Sequence, residues 1–62
     1  MKFIVEARHE RFPSLFAVAR RGMAEVDKRQ AMRFDRETAG EIAREEKRLR
    51  PGRRLLIIKV EG

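Results

Sequence analysis

The chain contains no cysteine, tryptophan or tyrosine, and only two prolines in 62 residues. Without cysteine there is neither a disulfide framework nor a thiolate metal site. The longest apolar run is Leu55-Leu56-Ile57-Ile58, far short of the roughly 20 residues a membrane span requires. The opening Met1-Lys2-Phe3-Ile4-Val5-Glu6 lacks the apolar core of a signal peptide. The length excludes more than one domain. These absences make a soluble cytoplasmic chain, acting without a membrane, the expectation.

What is present is charge. Lys and Arg number 16 against 10 Asp and Glu, for a net charge of +6. Charged residues make up 42% of the chain, which by itself suits disorder, but an equal hydrophobic fraction gathered in blocks argues for a fold. A domain of about 60 residues buries only about 60% of its unfolded surface, so the core is small.

Phe3, Val5 and Ala7 alternate with Lys2, Glu6 and Arg8, as in a strand with one buried face; Ile4 breaks the pattern. Pro13 interrupts the polar stretch that follows. Residues 15–20 read as a second strand, with Arg21-Gly22 following as a turn. A helix capped by Ser14, with Leu15, Val18 and Ala19 on one side, is the competing reading. Residues 23–26 extend the hairpin or form loop. Asp27 and Gln30 have the spacing of a capping box around a single helical turn, and residues 31–34 then lead on as turn or as a third strand.

The clearest element is a helix capped by Asp35, with Ala39, Ile42, Ala43 and Leu49 on one face. Glu41–Arg44, Glu45–Arg48 and Glu46–Arg50 have ion-pair spacing, and Glu45-Glu46 reads as solvated surface charge. Gly40 within the helix costs up to about 1 kcal/mol against alanine, which a close strand crossing would account for. Pro51-Gly52 ends the helix. Residues 55–60 form the last strand; apolar residues on both its faces place it centrally, or with a covered back. The fold class is α+β: an antiparallel or mixed sheet of three to four strands with one helix across it, in the order β-β-(β or turn)-α-β.

Catalytic constellations are missing. His9 is the only histidine, and Ser14 and Thr38 are the only hydroxyls; a triad needs an orienting acid and an oxyanion site as well. His9-Glu10 lacks further metal ligands, and the four glycines make no phosphate loop. No enzyme activity, metal or cofactor is expected. The positive charge, by contrast, is clustered and mostly arginine, twelve Arg to four Lys. Arg8 and Arg11 flank His9, Arg20 and Arg21 share a turn, and Arg48, Arg50, Arg53 and Arg54 crowd the junction of helix and last strand. Guanidinium groups bind carboxylates and phosphates bidentately and desolvate more readily than ammonium groups. These eight arginines are the candidate contacts, with Phe12 as a stacking anchor or a part of the core. The bland alternative is a composition set by the coding sequence. With phenylalanine as the only aromatic, base stacking is a poor fit. Docking on duplex backbone or on an acidic protein patch fits better.

The run Ala31-Met32-Arg33-Phe34-Asp35-Arg36-Glu37-Thr38-Ala39, then Ile42-Ala43 and Leu56-Ile57-Ile58-Lys59-Val60, resembles a layout common in very small phage and prophage proteins: a hairpin, an Ala-x-x-Phe turn, an Ala-bearing helix and an apolar strand. This sequence departs from that layout in having no tryptophan or tyrosine in its second strand or turn. The resemblance implies a mobile-element accessory protein of the anti-CRISPR type, blocking a host nucleic-acid-guided complex by occupying an acidic surface. Direct nucleic-acid binding is the alternative, and a homodimer joined through Leu55 and Ile57 is a third.

Overall fold

Lys2–Arg8 forms β1, Leu15–Ala19 forms β2 and Gly22–Ala24 forms β3. A 3-10 turn at Lys28–Gln30 precedes the helix α1, Arg36–Leu49, and β4, Arg54–Val60, closes the order. The computed structural model describes residues 1–60. The protein is a small α+β fold with one four-stranded sheet in the order β3-β2-β1-β4, antiparallel at every pairing. The mixed sheet is therefore excluded, and residues 15–19 are strand rather than helix.

The centre of the sheet belongs to β1, not to the last strand. β4 pairs with β1 along seven positions, from Lys2–Val60 to Arg8–Arg54, and stands at the edge. Apolar residues on both faces of β4 reflect its second possibility, a covered back: α1 lies over β1 and β4. Ile4 and Val5 point to opposite faces and are both fully buried, as only a strand covered on both sides allows. Each contributes on the order of 1.5–3 kcal/mol of burial free energy. The helix side joins Val5, Ala17, Phe34, Ala39 and Ile42, with Phe3, Met23, Ala43 and Leu55 packed around them. The other side joins Ile4, Phe16 and Ala31, flanked by Val26, Ile58 and Val60.

The chain moves from the second face to the first between β2 and β1. These strands pair at Glu6–Phe16 and Ala7–Leu15 only. Beyond that the gap between them is filled by residues 32–34. The Met32 N–H donates to the Ala17 carbonyl at 2.9 Å, and Phe34 exchanges two 2.8 Å backbone bonds with Phe3. Ala31 thus lies in one core cluster and Phe34 in the other. Residues 31–34 form a single bridge rather than a third strand; the third strand is Gly22–Ala24.

Local chemistry explains the element ends. Both halves of the Asp27–Gln30 capping box are present. The Asp35 carboxylate accepts the Thr38 N–H at 3.1 Å and starts α1; bonds from the Thr38 hydroxyl and N–H hold its pKa low. At the other end the Arg50 N–H caps on the Glu46 carbonyl, and Lys47 Nζ reaches the carbonyls of Pro51 and Arg53 at 3.5 Å. Gly40 has no neighbour within 4 Å of where a Cβ would stand, so the expected close strand crossing is absent. Leu49, expected in the core, is the last helical residue and is 63% exposed. Among the described residues, no helix is long and apolar enough to cross a membrane.

Candidate docking surface

Arginine side chains serve two purposes here, and their hydrogen-bond partners separate them. Arg53 points inward. Its Nη1 donates to the carbonyls of Ala7 at 3.1 Å and Pro13 at 3.0 Å. It therefore ties the β1–β2 loop to the start of β4, a structural role that the sequence does not suggest for this candidate contact. Arg50 binds the Glu46 carboxylate, which is buried. Glu46 is accordingly a structural acid, contrary to its expected place on the solvated face. Arg48 lies 3.8 Å from Glu45 with both side chains exposed, a pair worth a few tenths of a kcal/mol, about 0.3–0.5.

Arg20 and Arg21 stand apart from these. They occupy the two-residue turn between β2 and β3, and they line a depression with Ile42, Glu45, Glu46 and Leu49 of α1. Arg20 pairs with Glu41 at 2.7 Å, replacing the expected Glu41–Arg44 pair. Arg21 makes no ion pair among the described residues. The candidate arginines thus fall into two groups, and the β2–β3 turn is flanked by glutamates.

The second group forms a more open cationic end. Arg8 and Arg54 are direct partners across the β1–β4 ladder, and both line a depression with His9, Glu10 and Gly52. Like charges placed opposite each other in a ladder are unfavourable, so this pairing is held by the rest of the fold. Arg8 also bonds Glu6 at 3.3 Å through two nitrogens, while 56% of its side-chain surface remains exposed. Among the described residues, Arg11 and Arg54 make no side-chain ion pair.

Beneath Arg8, Glu6 is buried in β1. Burial raises its pKa, but the Ser14 hydroxyl, the Arg8 guanidinium and the Lys28 charge outweigh that and hold it below the ordinary value of 4.5. Ser14 Oγ donates to Glu6 at 2.6 Å, so this hydroxyl is a structural donor at the loop's exit. Every charged atom that the loop buries has a partner.

The loop itself is shaped by His9, whose role the sequence reading missed. His9 Nδ1 accepts the Arg11 N–H at 3.0 Å. Its ring lies 4.8 Å from that of Phe12 at an angle of 52°, within the range of favourable aromatic pairs. Phe12 is 59% exposed and belongs to no core cluster, which removes the core reading of this residue. The signal available in sequence was the short His-x-Arg-Phe-Pro spacing, in which a side-chain acceptor two residues before an N–H closes a tight turn. The outcome is a loop braced by Arg53 and His9 in which Arg11 and Phe12 are exposed, and whose His9 and Glu10 line one depression with Arg8 and Arg54. No group of three or more acidic or histidine side chains suited to a metal ion occurs among the described residues.

No protein-family model, curated protein or solved structure matches this chain.

Proposed function

We propose that this chain is a non-enzymatic docking protein whose arginine-rich end sits on an acidic surface of a host nucleic-acid-guided complex and blocks it sterically, in the anti-CRISPR manner, within the bacterial cytoplasm. The observation that carries the docking part is the braced 9–14 loop beside an arginine pair. Arg8 and Arg54 oppose each other across the ladder and line a depression with His9 and Glu10. Arg11 and Phe12 are exposed in the same loop, and Arg53 and His9 hold its backbone. Preorganisation lowers the entropy lost on binding, and an exposed aromatic beside guanidiniums is the composition of an interface hot spot. The choice of partner rests on the resemblance to small phage proteins. The +6 charge selects an acidic face and excludes DNA mimicry.

The test uses purified guide-loaded effector complexes and measures target-DNA binding with and without this protein. Inhibition by the wild type, reduced at least about tenfold in an Arg11→Glu, Arg54→Glu double variant, is the expected result. Failure to inhibit any complex of the panel, or equal inhibition by the variant, overturns the reading.

A second reading, direct contact with nucleic-acid backbone, is favoured by the Arg8–Arg54 opposition, where two guanidiniums share one side of the sheet. Duplex DNA affinity measured against salt separates it. Phosphate contacts give a log–log slope of about −0.9 each, and undetectable binding at low salt eliminates them.

A further inference from the structure

The two edges of the sheet are built differently. At β3 the edge strand is three residues long, and the pairing behind it shifts register between Ala17 and Ala19. Short length and a bulge are the devices by which natural sheets discourage a further strand. At β4 neither device is present. The strand runs for seven residues, its register against β1 is unbroken, and it contains no proline. Its outer backbone groups face away from β1 along that whole length, and Ile57 at its middle is 43% exposed. Such an edge is a template for another strand.

We propose that the occupant is β4 of a second copy, paired antiparallel about a two-fold axis at Ile57. One register of this strand with itself pairs all seven residues: Ile57 meets Ile57, Leu56 meets Ile58, Leu55 meets Lys59 and Arg54 meets Val60. The two cations of the strand, Arg54 and Lys59, then both fall opposite apolar side chains, so no like charges oppose each other in the new ladder. Partners in an antiparallel ladder share a face. Leu55, Ile57 and Lys59 therefore continue the helix-bearing side, and Leu56, Ile58 and Val60 continue the other, where Ile58 and Val60 already flank the second core cluster. The product is an eight-stranded sheet with both long edges internal and only the short β3 edges open. It also sets the two arginine-rich ends apart: the Arg54 residues lie six residue steps from each other along the joined strands, about 20 Å. The interface is a strand edge rather than a broad face, so the dimer belongs to the micromolar class of weak assemblies.

Absence of cysteine makes the test direct. In the full chain, Ile57→Cys places two thiols opposite each other at about 4.5–5.5 Å between Cβ atoms, close enough to form a disulfide after small adjustment. Lys59→Cys places them four residue steps apart, about 13 Å, beyond disulfide reach. Under mild oxidation Ile57→Cys is expected to cross-link at least about tenfold faster than Lys59→Cys. The untagged wild type is expected to sediment as a monomer–dimer equilibrium that shifts to dimer as salt rises, because the two copies each carry +6. Ile57→Lys, at an exposed site, is expected to keep the far-UV spectrum and weaken dimerisation at least about tenfold by opposing two like charges. Equal cross-linking rates, faster cross-linking of Lys59→Cys, or a wild type that stays monomeric at about 100 μM and 0.5 M salt overturns the proposal. Docking on an acidic partner weakens with salt, so the failure of that reading and the failure of this one are separately visible.

Discussion

Arg53 and Pro13 are joined by a hydrogen bond from Nη1 to the proline carbonyl at 3.0 Å, across 40 residues of sequence. With the companion bond to Ala7, one guanidinium satisfies two carbonyls where the β1–β2 loop leaves the sheet. Hydrogen bonds to charged groups contribute about 1.5–3 kcal/mol when well shielded, and partial exposure lowers that. Arg53→Ala is expected to destabilise the protein by about 1–2 kcal/mol. Arg54→Ala, one residue on and without an ion pair among the described residues, should stay within about 0.5 kcal/mol. Urea midpoints of the two variants check this, and equal midpoints would remove the bracing role. The contrast also decides how the docking surface is probed: substitutions at Arg53 report on folding, those at Arg11 and Arg54 on contact.

Glu6 gives a second prediction, in pH. Its pKa is depressed in the folded protein, so the folded state favours the carboxylate more than the unfolded state does. That contribution is fully present above the ordinary value of 4.5 and disappears as pH falls through the lower folded value. Stability should therefore drop in the acid range below 4.5. Ser14→Ala removes the 2.6 Å bond and should flatten that decline, while leaving a lower plateau at neutral pH. Urea midpoints taken from pH 7 downward measure both slopes; parallel curves for wild type and Ser14→Ala would contradict the assignment.

These residues also show where sequence reasoning reaches and where it stops. The Asp27–Gln30 box and the Asp35 cap were legible because each is closed by atoms a few positions away. The class and order of elements were legible from local periodicity, as was the Glu46–Arg50 pair. The identity of the central strand was not. Ile4 interrupts the alternation of β1 because residues 26–31 cover the second face, and nothing local to β1 announces that cover. The apolar run of β4 allowed either a central place or a covered back, and only the fold decides between them: its back is covered by the helix and it stands at the edge. Arg53 looked like its neighbours Arg50 and Arg54, since the carbonyls it serves lie 40 and 46 residues away. In the candidate site, Arg8 and Arg54 came together across the β1–β4 ladder, while Arg20 and Arg21 lie at the β2–β3 turn against α1, a division made by topology.

Gly40 supplies a stabilising prediction. It lies in the interior of α1, its φ is negative as in any helical residue, and a Cβ there meets nothing within 4 Å. Glycine in such a position costs about 0.8–1 kcal/mol relative to alanine, through backbone entropy in the unfolded chain and lower helix propensity. Gly40→Ala should raise the stability by about 0.5–1 kcal/mol, which thermal or urea unfolding resolves. A loss of stability would mean that the backbone at Gly40 is approached more closely than the structure shows.

The last prediction concerns Glu46, the one acid of α1 that the fold buries among the described residues. Its side chain is 8% exposed and its partner Arg50 39% exposed, so the two ends of the pair are not equivalent. Removing Arg50 leaves a carboxylate in a poorly solvated place without its cation; removing Glu46 leaves a guanidinium that water can still reach. Breaking a fully buried pair costs about 3–5 kcal/mol, and the exposure of Arg50 reduces that figure. Arg50→Met is therefore expected to cost about 1–3 kcal/mol, and Glu46→Gln less, since the amide keeps the volume and accepts a hydrogen bond from Arg50. The double variant Arg50→Met, Glu46→Leu should recover much of the loss, because an apolar pair leaves no buried charge behind. A double-mutant cycle on urea midpoints, completed with the single variant Glu46→Leu, measures the coupling. Additive losses would show that the ion pair holds nothing, and that Glu46 is buried merely because the helix turns it inward.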